Sequence, residues 1–132
     1  LGIGNYNIKE SRTKRGTLVQ FWYYPEFKDR VELTSLHTER MIELLEETTG
    51  TPYAWGSTYA QIMVQNFLYG AMENTGATVF GDFFTVDARA FKDRNYMGVN
   101  CHELTHQWFG DLVTARGTAD HWLQESFATF FS

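Results

Sequence analysis

Residues 102–106 read His-Glu-Leu-Thr-His, and eighteen residues separate His106 from Glu125. Two His residues four positions apart lie about one helical turn apart on nearly the same face, so both imidazoles can reach one ion. Two imidazoles and one carboxylate, with a fourth position left open, form the ligand set of a catalytic zinc. The pattern therefore predicts a helical zinc site with His102, His106 and Glu125 as ligands.

Glu103 follows the first His directly and points to a different side of the helix. From there it can reach a water on the metal, which is where a general base is needed. The five-residue motif alone is also compatible with a surface helix that carries two solvated imidazoles. The apolar residues around Glu125 argue against that interpretation, because an unpaired carboxylate on such a face is costly unless a metal neutralises it.

A second motif lies about thirty positions earlier, where residues 70–74 read Gly-Ala-Met-Glu-Asn. Together with His-Glu-Leu-Thr-His-Gln-Trp-Phe-Gly at 102–110 and Trp-Leu-Gln-Glu at 122–125, this run resembles the zinc aminopeptidases of the aminopeptidase N type. The resemblance extends over residues 23–130, and the motifs have the order and spacing of that family.

The resemblance implies a fold, a cofactor and a set of roles. The fold would be α+β, the amino-terminal lobe of a thermolysin-like zinc peptidase domain, with a mixed sheet and zinc-binding helices. One zinc ion would be held by His102, His106 and Glu125, with Glu103 as general base. The substrates would be peptides with a free amino terminus, whose α-amine pairs with Glu73. The substrate-binding loop would consist of Gly70, Ala71, Met72 and Glu73.

Physical chemistry independently supports the role of the 70–74 loop. An enzyme that removes only the first residue must measure the distance from the amine to the scissile carbonyl, and a fixed carboxylate does so by pairing with the ammonium. Gly70 and Ala71 carry little side-chain bulk, so a peptide could approach their backbone as an added strand. Standing alone, the same run is also compatible with a glycine-led turn and a solvated Glu73.

The resemblance also implies that residues 1–132 are part of a catalytic domain. A carboxy-terminal helical lobe would follow, and residues 1–24 could form the junction with a preceding β domain. Relatives supply an oxyanion-donating Tyr well downstream of the third ligand, and no residue here matches it. We therefore expect residues 1–132 alone to be inactive or weakly active. The chain departs from the common family pattern at three positions, Asp111, Gln124 and Ser126, where relatives commonly have Asn, Asn and Gly.

Composition narrows the class of protein. An apolar content of 43% is enough for one packed core, and a net charge of −5 argues against a nucleic-acid partner. No run of eighteen apolar residues is present, so we expect no membrane span in this segment. Cys101 is the only cysteine, which excludes an internal disulfide, and its position beside His102 predicts a small buried thiol rather than a ligand.

Local patterns predict the elements that carry these motifs. We expect a hairpin of strands 6–9 and 17–24 around a charged turn, and a helix with Thr34 or Ser35 as N-cap that ends at Gly50. Further strands are predicted at 61–67 and 78–86, the latter interrupted at Gly81. The zinc helix is predicted at 94–109 with Gly110 as its C-cap, and a second helix at 121–131.

Three other functions remain open at this point. A zinc endopeptidase of the thermolysin kind would share the zinc motif without needing Glu73 for an amine, and would cleave acetylated peptides. A bifunctional epoxide hydrolase would share the same loop and ligands. A non-catalytic truncated domain could self-associate through its exposed core surface, and size-exclusion chromatography would detect that association.

Overall fold

A five-stranded mixed sheet forms the frame of the computed structural model, which describes residues 2–132. The strand order is β1-β2-β3-β5-β4, with parallel pairing in the middle of the sheet and antiparallel pairing at both ends. The strands are β1 (Asn7–Arg12), β2 (Leu18–Tyr23), β3 (Thr58–Val64), β4 (Ala71–Met72) and β5 (Ala77–Gly81). The α+β class with a mixed sheet is therefore confirmed.

The predicted hairpin is present, but its first strand, predicted at 6–9, runs from Asn7 to Arg12. β1 and β2 pair antiparallel, with Asn7 opposite Tyr23 and Arg12 opposite Leu18, and the Gly16 amide closes the turn onto the Thr13 carbonyl. β2 and β3 then pair in parallel, which requires a crossover between them. That crossover contains a short helix α1 (Val31–Thr34) and the longer α2 (Thr38–Thr49).

The helices cover one face of the sheet. Alternate residues of the strands are buried on that face, because successive side chains of a strand point to opposite sides. The hydrophobic cluster at the centre of this face contains side chains from β2, β3, α2 and the zinc-motif helix α3 (Met97–Thr105). Its buried members are Val19, Ile42, Leu45, Tyr53, Tyr59, Leu104 and Trp108.

A buried polar network fastens α3 to this frame. The Gln61 amide on β3 donates to Asn100 Oδ1 at 2.6 Å, and Asn100 Nδ2 donates to Thr38 Oγ1 on α2 at 2.9 Å. All three side chains are buried. Since buried polar groups are costly unless they are hydrogen-bonded, this mutual pairing sets how α3 sits on β3 and α2.

The predicted start of the first long helix is wrong. Thr34 and Ser35 do not cap α2, because their hydroxyls donate backwards to the carbonyls of Arg30 and Val31 and so close the preceding turn. His37 follows with φ of 67°, and α2 begins only at Thr38. The predicted end is confirmed, because Gly50 takes the left-handed conformation that terminates α2.

Two strands and the zinc helix also differ in extent from their predictions. The strand predicted at 61–67 is β3, which begins at Thr58 where it pairs with Leu18 and ends at Val64. The strand predicted at 78–86 is β5, which ends at Gly81, because the chain then turns so that the Thr85 amide donates to the Asp82 carbonyl.

The helix predicted at 94–109 is shorter at both ends, because α3 begins at Met97 and ends at Thr105. Tight turns follow it through Trp108. Gly110 is therefore not its C-cap. Its amide instead donates to the Val113 carbonyl, in the loop that leads to the second motif helix α4 (His121–Phe131). The extent of α4 agrees with its prediction. Over residues 2–132, no helix is both long enough and apolar enough to cross a membrane.

Two glycines give a test of this frame. Gly50 has φ of 66°, whereas Gly98 lies within α3 with no atom near the position of an added Cβ. Gly50→Ala should lower the free energy of unfolding by about 1 kcal/mol, because a Cβ is strained in the left-handed conformation. Gly98→Ala should instead raise it by roughly 0.5 kcal/mol or more. Denaturant unfolding of both variants measures these changes, and equal effects of one sign would contradict the assigned end of α2.

Candidate active site

The three predicted metal ligands lie together. His102 and His106 project from α3 and its last turn, Glu125 projects from α4, and their ligand atoms all lie within 4.8 Å of one another. The Nε2 atoms of the two imidazoles are 3.2 Å apart. Glu125 Oε2 is 3.3 Å from His102 Nε2, and Glu125 Oε1 is 3.6 Å from His106 Nε2.

A backbone carbonyl orients the His106 ring. His106 is 1% exposed, and its Nδ1 lies 3.0 Å from the Phe109 carbonyl oxygen. Because a carbonyl oxygen can only accept, Nδ1 carries a hydrogen in this contact, and the ring is turned so that Nε2 faces Glu125. A backbone carbonyl on the far nitrogen is the usual way in which a metal-binding imidazole is oriented.

Stacked aromatic rings hold α4 beside α3. The Phe109 ring stacks against Phe127 at 4.5 Å and against Phe131 at 5.6 Å between ring centroids. The Cys101 thiol donates to the Phe131 carbonyl at 3.3 Å, and burial raises its pKa. Cys101 is only partly buried, but it points towards the α4 backbone and lies outside the group of converging ligand atoms.

Glu103 lies beside this group on α3 and is nearly buried, with 9% of its surface exposed. Burial, together with the negative charges of Glu73 and Glu125, raises its pKa to about 7. A carboxyl group with a pKa near neutrality can both take up and release a proton under ordinary conditions. The carboxylates of Glu73, Glu103 and Glu125 are thus close enough to interact electrostatically, an accumulation of negative charge that favours a bound cation.

Glu73 follows the edge strand of the sheet. β4 pairs antiparallel with β5, with Ala71 opposite Phe80 and Met72 opposite Val79, and its other edge pairs with no strand of residues 2–132. Gly70 does not offer its carbonyl at that edge, because the oxygen accepts from the Gly81 amide on β5. Ala71 and Met72 are therefore the loop residues with an open strand edge, and Glu73 stands at the end of that edge.

A tight turn returns the chain from Glu73 to β5. The Ala77 amide donates to the Asn74 carbonyl at 2.8 Å, and Gly76 has φ of 70°, which a residue with a side chain rarely adopts. We call residues 73–76 the Glu73 turn. It lies against the residues that follow α3, so the two sequence motifs meet in the structure.

The sequence did not indicate that Gln107 belongs to the site. Its side chain is buried and hydrogen-bonds the Glu73 turn. The signal that could have identified it is a polar amide placed between His106 and Trp108 on a segment with buried neighbours, because such a group must find partners. His121 lies at the rim, with Nε2 3.6 Å from Glu125 Oε1 and an exposed side chain.

The three departures from the common family pattern have different surroundings. Gln124 Oε1 accepts from the Ala115 amide at 2.8 Å and so ties α4 to the loop before it. The Ser126 hydroxyl donates to the Trp122 carbonyl within α4. Asp111 Oδ2 is buried without a hydrogen-bond partner among residues 2–132, and burial raises the pKa of this carboxyl group.

Comparison with known proteins matches this chain to one family. The domain of peptidase family M1 matches residues 34–132. Tricorn protease-interacting factor F2 of Thermoplasma volcanium is 44% identical over 135 residues, which cover 100% of this chain and 17% of the relative. Leucyl aminopeptidase of Saccharolobus solfataricus is 34% identical, with the same two coverages.

The thyrotropin-releasing hormone-degrading ectoenzyme of Rattus norvegicus is 34% identical over 140 residues, which cover 98% of this chain and 13% of the relative. The chain thus spans less than a fifth of the length of these curated relatives. The resemblance to the aminopeptidase N type, inferred from the motifs at 70–74, 102–110 and 122–125, is confirmed. The chain belongs to peptidase family M1.

Proposed function

We propose that the protein containing this chain is a zinc-dependent aminopeptidase that hydrolyses the amino-terminal residue from peptides. The observation that carries the proposal is the convergence of His102, His106 and Glu125, with Glu103 beside them and Glu73 within electrostatic range. The named aminopeptidases among the relatives support the same activity.

The donor set fits zinc. Two imidazole nitrogens and one carboxylate leave a coordination position open, which distinguishes catalytic from structural zinc sites. The Phe109 carbonyl on His106 Nδ1 directs the other nitrogen of that ring inwards. We therefore assign His102, His106 and Glu125 as the residues that would hold the ion. Zinc bound in such a site polarises the substrate carbonyl and activates water.

We assign Glu103 as the general base. Its carboxylate accepts a proton from the attacking water and then delivers that proton to the leaving amine. The buried position beside His102 keeps the group close to the reacting atoms, and a pKa near neutrality suits both steps of this transfer.

Substrate selection is assigned to the Glu73 turn and the strand before it. A peptide would pair with the open edge of β4 along Ala71 and Met72, with Gly70 shaping the entry to that strand. The Glu73 carboxylate would then form an ion pair with the substrate ammonium. Because the turn is fixed relative to the His pair, only a peptide whose first amine lies one residue from the scissile carbonyl would fit.

We further propose that residues 1–132 are part of a thermolysin-like catalytic domain and belong to its amino-terminal lobe. Residues 1–24 would adjoin a preceding β domain, and a helical lobe would cover α4. The outer face of α4 supports this arrangement, because Phe130 is 79% exposed and Trp122 is 62% exposed. The isolated residues 1–132 would therefore be inactive or weakly active, and prone to self-associate through that face.

Glu103→Gln in the complete protein should reduce turnover by about 10²- to 10⁴-fold, because an amide cannot accept the proton. Zinc content should remain one per chain, since no ligand is changed. Glu46→Gln is the matched control, because Glu46 is as buried as Glu103 but lies on α2, where it accepts a hydrogen bond from the Tyr53 amide. This control should keep normal turnover. Normal turnover of Glu103→Gln on amino-acid anilides would remove Glu103 from the role of base.

Glu73→Ala should lower kcat/KM for substrates with a free amine by about 10- to 100-fold, because a hydrogen bond to a charged group is lost. The steady-state kinetics of an amino-acid anilide measure this effect. Acetylated peptides should not be cleaved by the unchanged protein. Efficient cleavage of acetylated peptides, together with an unchanged kcat/KM for the Glu73→Ala variant, would favour the endopeptidase alternative.

The metal-free protein should show a pH-dependent effect of the same Glu103→Gln substitution. The folded-state pKa of Glu103 lies above the ordinary value of 4.5, so its ionisation costs folding stability as the pH rises from 4.5 through about 7. Gln stays neutral, so the variant should melt several degrees higher than the unchanged protein at pH 8 and show no such gain near pH 4.5. Thermal melts after chelation measure both, and a gain of equal size at the two pH values would contradict the raised pKa.

A further inference from the structure

One side chain connects the Glu73 turn to the residue beside a proposed metal ligand. Gln107 follows His106 directly and is 1% exposed. Its Nε2 donates to the Glu73 carbonyl oxygen at 2.8 Å, and its Oε1 accepts from the Gly76 amide at 2.7 Å. The amide nitrogen and the amide oxygen of one side chain therefore bind the first and the last residue of the Glu73 turn.

Gln107 is itself held in place. Its backbone carbonyl accepts from the Trp55 indole at 2.9 Å. Its backbone amide donates to the Leu104 carbonyl in the turn that follows α3. The side chain therefore projects from a fixed point, and its direction is tied to that of the neighbouring His106. A movement of the Glu73 turn away from the His pair would break two partly buried hydrogen bonds.

The other contacts of the turn hold it mainly to the sheet. β4 forms two residue pairs with β5, and the Ala60 amide of β3 donates to the Gly76 carbonyl at 3.0 Å. In the segment after α3, Thr75 also contacts Asp111. An amide of this length is the one side chain that supplies a donor and an acceptor with the required spacing. Loss of that amide would leave the partly buried Glu73 carbonyl and Gly76 amide without their partner on Gln107.

We propose that Gln107 is a positioning residue that holds the Glu73 carboxylate at a set distance from the metal-ligand pair and so enforces selection of a free amino terminus. The inference rests on the proposed function, because it assigns Gln107 to the same site. A ruler of this kind must be rigid, since a displacement of about 1 Å at a substrate-binding group can cost on the order of 10²-fold in rate.

The experiment compares two substrates in the complete protein. One is an amino-acid anilide with its free ammonium, and the other is the matching 2-hydroxyacyl anilide, in which a neutral hydroxyl replaces that group. The ratio of kcat/KM for the first over the second measures selection of the charged amine. Zinc content and the thermal midpoint are recorded for every variant.

Gln107→Met, which keeps the length and removes both hydrogen bonds, should lower this ratio by about tenfold or more while zinc content stays at one per chain. Thr13→Val is the control, because the Thr13 side chain is also buried and its hydroxyl accepts from the Thr17 amide in the β1–β2 turn, apart from α3 and the Glu73 turn. That control should lower the thermal midpoint yet keep the ratio. A ratio for Gln107→Met that matches the control would overturn the proposal.

Two further variants keep the outcome decisive. If Gln107→Met does not fold, Gln107→Glu retains the acceptor for the Gly76 amide, loses the donor to Glu73, and should also lower the ratio. In a Glu73→Ala background, Gln107→Met should lower the ratio no further, and an additional fall would show that Gln107 does not act through Glu73. If the unchanged protein shows no preference for the amine at all, the proposed function fails rather than the role of Gln107.

Discussion

The packing of α4 against the end of α3 is the constraint on which the candidate site depends. Glu125 can approach His102 and His106 only if the two helices keep their relative rotation. The Phe109 ring supplies that restraint, since it stacks on Phe127 and Phe131, which lie one turn apart on α4. Two stacked contacts along one helix fix its rotation, and an apolar interaction thereby determines the geometry of a polar group.

The rest of the structure holds α3 in place for this contact. Leu104 and Trp108 anchor it in the central core, and the buried hydrogen bonds among Gln61, Asn100 and Thr38 set its position on the sheet. The fold also buries Glu103 and keeps it close to two other carboxylates, which raises its pKa and costs stability when no cation is present. Such an arrangement is typical of a site selected for chemistry rather than for stability.

The family match describes the sequence motifs, whereas the site geometry describes how the fold brings those motifs together. The family match covers residues 34–132 and both sequence motifs, whereas the meeting of the Glu73 turn with the residues after α3 is a property of the fold. Under the proposed function, β4, the Glu73 turn and Gln107 form one continuous path from the substrate edge to the metal ligands. Selection of the first peptide residue would then be a matter of distance, set by hydrogen bonds rather than by a shaped pocket.

The sequence by itself determined what is encoded within a turn or two of backbone: the hairpin, the end of α2 at Gly50, the extent of α4 and the shared face of His102 and His106. The predicted N-cap of α2 at Thr34 or Ser35 was wrong, because a hydroxyl side chain can hydrogen-bond to the preceding turn as well as to the following one. Only the tertiary structure decided the parallel register of β3, the rotation of α4 and the role of Gln107. These depend on partners eighteen or more residues apart, whose meeting is set by the packing of whole elements and leaves no local periodicity to read.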